Sequence, residues 1–118
     1  MDIIPSNVEL AGAELELSAQ YGREKRLKNA LASVEDDYDY VLVDCPPSLG
    51  LLTINTLTAV DSILIPIQCE FYALEGVSQL MSTIDLVKKN LNEDLKIEGV
   101  VLSMFDNRTK LSVEVQTL

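Results

Sequence analysis

Two apolar runs decide the fold, Ile63-Leu64-Ile65-Pro66-Ile67 and Gly99-Val100-Val101-Leu102-Ser103-Met104-Phe105. Both are rich in β-branched residues and nearly continuous, a pattern typical of strands that are covered on both faces. Apolar residues recur every three or four positions between them, which predicts an amphipathic helix that ends near residues 90–92. Its apolar positions are Leu74, Val77, Leu80, Met81, Ile84, Val87 and Leu91. The stretch therefore predicts two parallel strands joined by a crossover helix.

A third apolar run, Tyr40-Val41-Leu42-Val43, lies upstream and predicts another buried strand. Residues 49–60 follow it and predict a shorter helix, in which we expect substantial burial of the apolar positions Leu51, Leu52, Ile54, Leu57 and Val60. The predicted order is strand, helix, strand, helix, strand. This order indicates an α/β fold with a parallel sheet and flanking helices.

Polar residues follow each of the three predicted strands. Asp44 follows the first, Gln68-Cys69-Glu70 the second and Asp106-Asn107-Arg108 the third. Parallel strands place their carboxyl ends at one edge of a sheet, which is where open α/β sheets bind ligands. We therefore expect these three polar clusters to converge.

The flanking segments give weaker signals. Asp2-Ile3-Ile4-Pro5 could form a short strand, and residues 23–34 predict a helix with Leu27, Ala30, Leu31 and Val34 on one face. Leu111-Ser112-Val113-Glu114-Val115 resembles the opening of a further helix. The sequence has no internal repeat and no flexible linker, so we expect one domain.

Composition excludes several classes of function. Hydrophobic residues make up 47% of the 118 residues and charged residues 24%, which is enough apolar material for a globular core. The net charge of −10 repels nucleic-acid backbones, so any contact with DNA must be local. The chain contains no histidine, which excludes Ser-His-Asp triads and the commonest zinc sites. No apolar run reaches the length of a membrane span, so we expect a cytoplasmic protein without a membrane partner.

The chemistry indicated by Asp44 depends on its position after a hydrophobic strand. P-loop enzymes hold magnesium with such an aspartate, although an aspartate there can also cap the following turn. The next residues are Cys45-Pro46-Pro47-Ser48-Leu49-Gly50. The two prolines have no N–H group, so a bound phosphate could be met only by Cys45 or by donors from Ser48 onward. Gly50 permits a close approach or an unusual backbone angle. We expect Cys45 and Cys69 to be small buried side chains rather than metal ligands.

The sequence closely resembles the ParA/Soj partitioning ATPases, which belong with MinD among the deviant-Walker P-loop proteins. The resemblance covers essentially the whole chain and rests on four blocks. They are Leu10-Ala11-Gly12-Ala13-Glu14, the segment from Tyr38 to Thr53, the segment from Ile65 to Gly76, and Met104-Phe105-Asp106-Asn107-Arg108-Thr109. The resemblance implies an incomplete parallel sheet of the P-loop NTPase type, with residues 1–118 as the central part of one nucleotide-binding domain truncated at both ends.

The resemblance also implies roles for individual residues. Asp44 would be the Walker B aspartate, which reaches magnesium mostly through water, and the loop after it would be the switch that senses the γ-phosphate: Cys45, Pro46, Pro47, Ser48 and Gly50. Positions on the nucleotide, base or dimer side would be Pro66, Gln68, Glu70, Met104 and Asp106.

Arg108 matches a position implicated in non-specific DNA binding by the ATP-bound dimer, a role that an always-charged, donor-rich side chain can fill. The alternative is a surface arginine that pairs with Asp106.

One departure from the family pattern concerns the phosphates. The sequence has no GxxxxGK[ST] motif, and none of its five glycines precedes a lysine. Phosphoryl transfer depends on the loop amides and lysines of that motif, so we expect this chain alone to bind neither ATP nor magnesium and to be inactive. The resemblance implies that the intact protein binds and hydrolyses ATP with magnesium, dimerises, binds DNA non-specifically at the nucleoid and acts with a ParB/Spo0J-type partner in chromosome or plasmid partitioning.

Three alternatives are open. The first is a non-catalytic ParA-like interaction module or remnant. The second is a receiver domain phosphorylated on Asp44, but this requires an acidic pair on an earlier strand and a lysine after the last, and neither is found. The third is the MinD-like or iron-protein branch of the same superfamily. The block Phe105-Asp106-Asn107-Arg108-Thr109 favours the partitioning branch.

Overall fold

The computed structural model describes residues 1–45, 49–68 and 73–103. The chain divides into two compact units, Met1–Ala59 and Val60–Leu118. None of the helices in the described ranges is long and apolar enough to cross a membrane.

The first unit is built from short helices. Three α-helices are present in its described residues: α1 (Ala13–Ser18), α2 (Arg26–Leu31) and α3 (Leu51–Ala59). Three 3-10 helices accompany them: Val8–Gly12, Arg23–Lys25 and Glu35–Asp37. The helix predicted for residues 23–34 is confirmed in a shorter form, as the second 3-10 helix followed by α2. The helix predicted for residues 49–60 is confirmed as α3.

Two predicted strands are wrong. Residues 2–5 and 40–43 form no strand, although both contain apolar β-branched residues. Tyr40 is 86% exposed and Leu42 94%. A strand is stable only when a neighbour accepts and donates its backbone hydrogen bonds, and no strand pairs with either run within the described residues. The apolar pattern of these runs is compatible with a strand, but a strand also needs a neighbouring strand to pair with.

The second unit contains a strand–helix–strand arrangement, as predicted. Strand β1 (Ser62–Gln68) and strand β2 (Lys96–Ser103) are parallel, and α4 (Ala73–Asn90) lies between them in sequence. The register pairs Ser62 with Lys96 and Gln68 with Ser103, with one irregularity after Ile63. Strand β2 begins three residues before the predicted start; Met104 and Phe105 lie outside the described residues. The predicted α/β class with a parallel sheet is confirmed.

The core of the second unit lies on one face of the sheet. Alternate residues of β1 are buried there, Ile65 at 4% exposure and Ile67 at 5%. Ile84 and Val87 of α4 are also buried, which confirms the predicted apolar face of this helix. Burying one such side chain stabilises the fold by about 1.5–3 kcal/mol. After α4 the chain is fixed by Asn92, whose Nδ2 donates to the Val60 carbonyl oxygen at 2.8 Å.

The buried side chains of helix α3 differ from the apolar ones that the sequence predicted. Leu57 is buried as predicted, but Leu51, Leu52 and Ile54 are only half-buried. The other buried side chains of the helix are polar: Thr53, Asn55 and Thr58. Hydrogen bonds make this possible, since the Thr58 hydroxyl donates to the Ile54 carbonyl oxygen at 2.7 Å.

Candidate functional site

The candidate site begins at Asp44, directly after the unpaired run of residues 40–43. Asp44 is exposed, and Cys45 is half-buried with a free thiol. Pro46, Pro47 and Ser48 lie outside the described residues. Gly50 is half-buried and immediately precedes α3, where its carbonyl oxygen accepts a hydrogen bond from Ile54 N at 3.1 Å. The segment thus enters regular structure at Gly50.

A carboxylate from α1 lies at this entry point. Glu14 Oε1 accepts a hydrogen bond from Leu52 N at 3.3 Å. The first four N–H groups of a helix have no acceptor within the helix, so Glu14 satisfies one that would otherwise need another partner. A negative charge also interacts favourably with the N-terminal end of a helix. Glu14 is half-buried, which limits the screening of this interaction by water.

Gly50 is needed here for close approach. A Cβ atom at this position would collide with the Glu14 carboxylate, whose Cδ would lie 3.0 Å away. Among the described glycines only Gly22 has a positive φ, so the backbone angle at Gly50 is one that other residues can adopt. Of the two explanations that the sequence allows for Gly50, the structure supports close approach.

Asn55 anchors α3 to the elements that precede it in the first unit. Its Nδ2 donates to the carbonyl oxygens of Arg23 at 2.8 Å and Leu51 at 3.0 Å, and its Oδ1 accepts from Leu27 N at 3.1 Å. The side chain is 3% exposed. One asparagine therefore ties α3 to the 3-10 helix at Arg23–Lys25 and to α2. Together, Glu14 and Asn55 fix the helix into which the Asp44 segment leads.

The second unit provides one edge at which two predicted site positions lie. Pro66 is exposed in β1 opposite Val101, and Gln68 ends β1 opposite Ser103. The carboxyl ends of both strands therefore meet at one edge, as a parallel sheet requires. The remaining predicted residues, Glu70, Met104, Asp106 and Arg108, lie outside the described residues, as does Cys69. The convergence of all three polar clusters stays a prediction.

Two titratable groups of the first unit are perturbed. A hydrogen bond from the Tyr38 hydroxyl to the Asp2 carboxylate raises the pKa of Tyr38. The pKa of Glu24 is lowered by a backbone hydrogen bond and then by Arg23, whose Nε lies 3.2 Å from Glu24 Oε1. Both groups lie before residue 40, apart in sequence from the Asp44 segment.

Asp44 is a single exposed carboxylate, a donor that a magnesium ion accepts. Within residues 1–45, 49–68 and 73–103 no three acidic, histidine or cysteine side chains are grouped to hold a metal. Magnesium is usually bound by one or two carboxylates, with water and phosphate oxygens completing its shell. An exposed single carboxylate such as Asp44 suits that arrangement.

Comparison with known proteins gives the family. The model of the AAA domain family matches residues 1–97. The chain is 61% identical over 115 residues to the sporulation initiation inhibitor protein Soj of Bacillus subtilis, covering 98% of this chain and 46% of that protein. It is 56% identical over 115 residues to the chromosome partitioning protein ParA of Myxococcus xanthus, covering 98% and 41%. The chain belongs to the AAA domain family, in its ParA/Soj group. The resemblance seen in the sequence is therefore confirmed.

Two solved structures match the chain over nearly its whole length. A Mycobacterium smegmatis structure described as cobyrinic acid a,c-diamide synthase with bound ATP analogue and magnesium matches with a TM-score of 0.86 and 47% identity, over 96% of this chain and 46% of that one. A plasmid partition protein from Borrelia burgdorferi matches with a TM-score of 0.75 and 25% identity, over 97% and 46%. The chain spans a little less than half the length of these relatives.

Two residues of the site had no role predicted from the sequence. Glu14 belongs to a block that carries the family resemblance, and Asn55 lies within the predicted α3. The hydrogen bonds from Leu52 N to Glu14 Oε1 and from Leu27 N to Asn55 Oδ1 join positions 38 and 28 residues apart. No spacing rule for a single helix or strand connects residues so distant.

Proposed function

We propose that this chain supplies the metal-side part of an ATP–magnesium site in a partitioning ATPase of the ParA/Soj group. The observation that carries the proposal is the exposed carboxylate of Asp44, placed a few residues before a helix whose start is held by Glu14. Similarity to a structure with a bound ATP analogue and magnesium supports the choice of ligand.

In this proposal Asp44 would help to hold the magnesium ion that accompanies the phosphates, mostly through bound water. When bound, magnesium neutralises the charge on the phosphate oxygens. The chain's own contribution is to hold a carboxylate there and to end the following loop at a fixed point, Gly50. Cys45, Pro46, Pro47 and Ser48 form the part of the loop that responds to the γ-phosphate.

The proposal extends to the whole protein by similarity. Relatives are named as chromosome partitioning proteins, and one from Treponema pallidum, 49% identical over 112 residues, is named a chromosome-partitioning ATPase. We infer that the intact protein hydrolyses ATP, dimerises and binds DNA non-specifically, with Arg108 as a DNA contact. A ParB/Spo0J-type protein is the proposed partner, and the nucleoid the proposed location. Pro66, Gln68, Glu70, Met104 and Asp106 are proposed to lie on the base or dimer side of the nucleotide site.

The mycobacterial structure carries the name of an amide-forming enzyme, whereas relatives at 50–61% identity are named for partitioning or sporulation control. We assign partitioning because the sequence is more similar to these proteins. Binding of ATP with magnesium does not depend on this choice.

The test is calorimetric titration of ATP with magnesium into two proteins. The first is this chain alone. The second, called the graft, is the Mycobacterium smegmatis protein in which this chain replaces the matching segment. We expect binding by the graft and none by the chain alone, because the sequence lacks a phosphate-binding loop.

Variants of the graft assign the site. Asp44→Asn removes the charge and should weaken ATP–magnesium binding about 10- to 100-fold, the usual effect of changing a group that orients a metal shell. Asp39→Asn makes the same change at another exposed aspartate and should leave binding unchanged. A graft that folds without binding ATP would favour the second candidate, a non-catalytic interaction module.

A further inference from the structure

The contact between Glu14 and α3 joins two parts of the first unit that are distant in sequence. Glu14 is the second residue of α1, and Leu52 is the second residue of α3. The 3.3 Å hydrogen bond from Leu52 N therefore fixes the first turn of α3 against α1. Leu51 and Leu52 are themselves half-buried, so this turn is also held by packing.

Gly50 makes the contact sterically possible. A side chain at position 50 would occupy the space of the Glu14 carboxylate. The carboxylate is the far end of a flexible side chain, so it could swing away from a new Cβ, but it would then lose the bond to Leu52. Glu14 and Gly50 are thus both needed for one contact: Glu14 provides the acceptor, and Gly50 leaves room for it.

We propose that Glu14 is a positioning residue for Gly50, where the segment that begins at Asp44 ends. This inference rests on the proposed function, in which that segment lies against the phosphates and magnesium. Asp44 is exposed, whereas the Gly50 end is fixed by Glu14. Glu14 thereby fixes the Gly50 end of this segment and the first turn of α3 against α1. When groups around the reacting atoms are misplaced, the rate of the chemical step falls more than the affinity for the substrate does.

The contact itself is tested in this chain by amide hydrogen exchange at Leu52. Glu14→Ala removes the acceptor and should raise the exchange rate about fivefold, as expected for loss of a helix-capping group. Glu14→Gln keeps an oxygen at Oε1 and should remain within about twofold of the original rate. Glu16→Ala, at an exposed position of the same helix, is the matched control and should change nothing.

Gly50→Ala provides an independent variant. It should raise exchange at Leu52 by a factor similar to that of Glu14→Ala, because the added Cβ displaces the carboxylate. In the double variant the two effects should not add, since both remove the same hydrogen bond. Effects that multiply would show that Gly50 acts separately from Glu14 and would contradict the proposed pairing.

Function is tested by steady-state ATP hydrolysis in the graft. We expect Glu14→Ala to lower kcat about tenfold while KM for ATP stays within about twofold, and Glu14→Gln to restore most of kcat. If the unsubstituted graft neither binds nor hydrolyses ATP, the proposed function fails and this inference fails with it. If that graft is active and Glu14→Ala behaves like Glu16→Ala, the positioning role alone is overturned.

Discussion

Replacement of Asn55 by alanine should destabilise the first unit by more than the loss of a single hydrogen bond would. The amide group joins three backbone groups: the carbonyl oxygens of Arg23 and Leu51 and the N–H of Leu27. A typical protein hydrogen bond contributes about 0.5–1.5 kcal/mol net. The Leu51 carbonyl also belongs to a helix, and Arg23 is an exposed residue, so water or the helix can replace part of the loss. We therefore expect a cost of about 2–3 kcal/mol.

The chain contains a matched control for this substitution. Asn90 in α4 also donates from Nδ2 to the carbonyl oxygen four residues earlier, that of Leu86, at 3.0 Å, the same distance as from Asn55 to Leu51. Asn90 is exposed, so Asn90→Ala should change stability by no more than about 0.5 kcal/mol. The difference between the two variants reports the part-buried bonds to Arg23 and Leu27.

The assay is urea unfolding followed by circular dichroism, combined with amide exchange at Leu27. Asn55→Ala should lower the unfolding midpoint and accelerate exchange at Leu27, whereas Asn90→Ala should do neither. Equal costs for the two asparagines, or unchanged protection of Leu27, would show that Asn55 does not hold α3 to α2.

Two further predictions concern packing and pH. Ile84→Ala should destabilise the second unit by about 2–5 kcal/mol in urea unfolding, because Ile84 is 1% exposed. Leu86→Ala, at a position 62% exposed on the same helix, should cost about 0.5 kcal/mol or less. Similar costs for the two variants would show that the core lies elsewhere. Tyr38 should titrate above its ordinary pKa of about 10, because its hydroxyl donates to the Asp2 carboxylate. The raised folded-state pKa means that this contact stabilises the fold below pH about 10 and that its contribution is lost as the pH rises through the folded-state pKa. Asp2→Ala should lower the Tyr38 midpoint in an NMR titration, and an unchanged midpoint would contradict the contact.

Local patterns predicted the second unit well. The spacing of Ile84 and Val87 marked the buried face of α4, and the continuous apolar run around Ile65 marked β1. Both signals come from residues close together in sequence, and both elements have their partners within the described residues. The parallel pairing followed from the strand–helix–strand order alone.

Features that depend on partners distant in sequence were predicted less well. Tyr40 and Leu42 have the composition of a strand, but pairing is a property of two segments, and no second one is present in the described part of the chain. Asn55 is polar and was not expected in a core, because its burial depends on backbone groups near residue 25. The role of Glu14 likewise depends on an α-helix that starts 37 residues later.

The candidate site was predicted in its composition rather than in its geometry. Asp44 and the glycine at position 50 follow from the motif and the family resemblance. The sequence left two reasons for Gly50 open, and only the position of the Glu14 carboxylate distinguishes them. The contact of Glu14 with the start of α3 is therefore a structural finding, whereas the role of Asp44 at magnesium is a proposal from similarity and chemistry.

Paramagnetic NMR of the graft tests whether Asp44 lies beside the metal of a bound nucleotide. Manganese replaces magnesium, and the resonances of this chain are compared with and without ATP. We expect ATP with manganese to broaden the resonances of Asp44 and Cys45 most strongly. Sharp Asp44 resonances, with broadening confined to other acidic residues such as Asp36 and Asp37, would contradict this placement of Asp44.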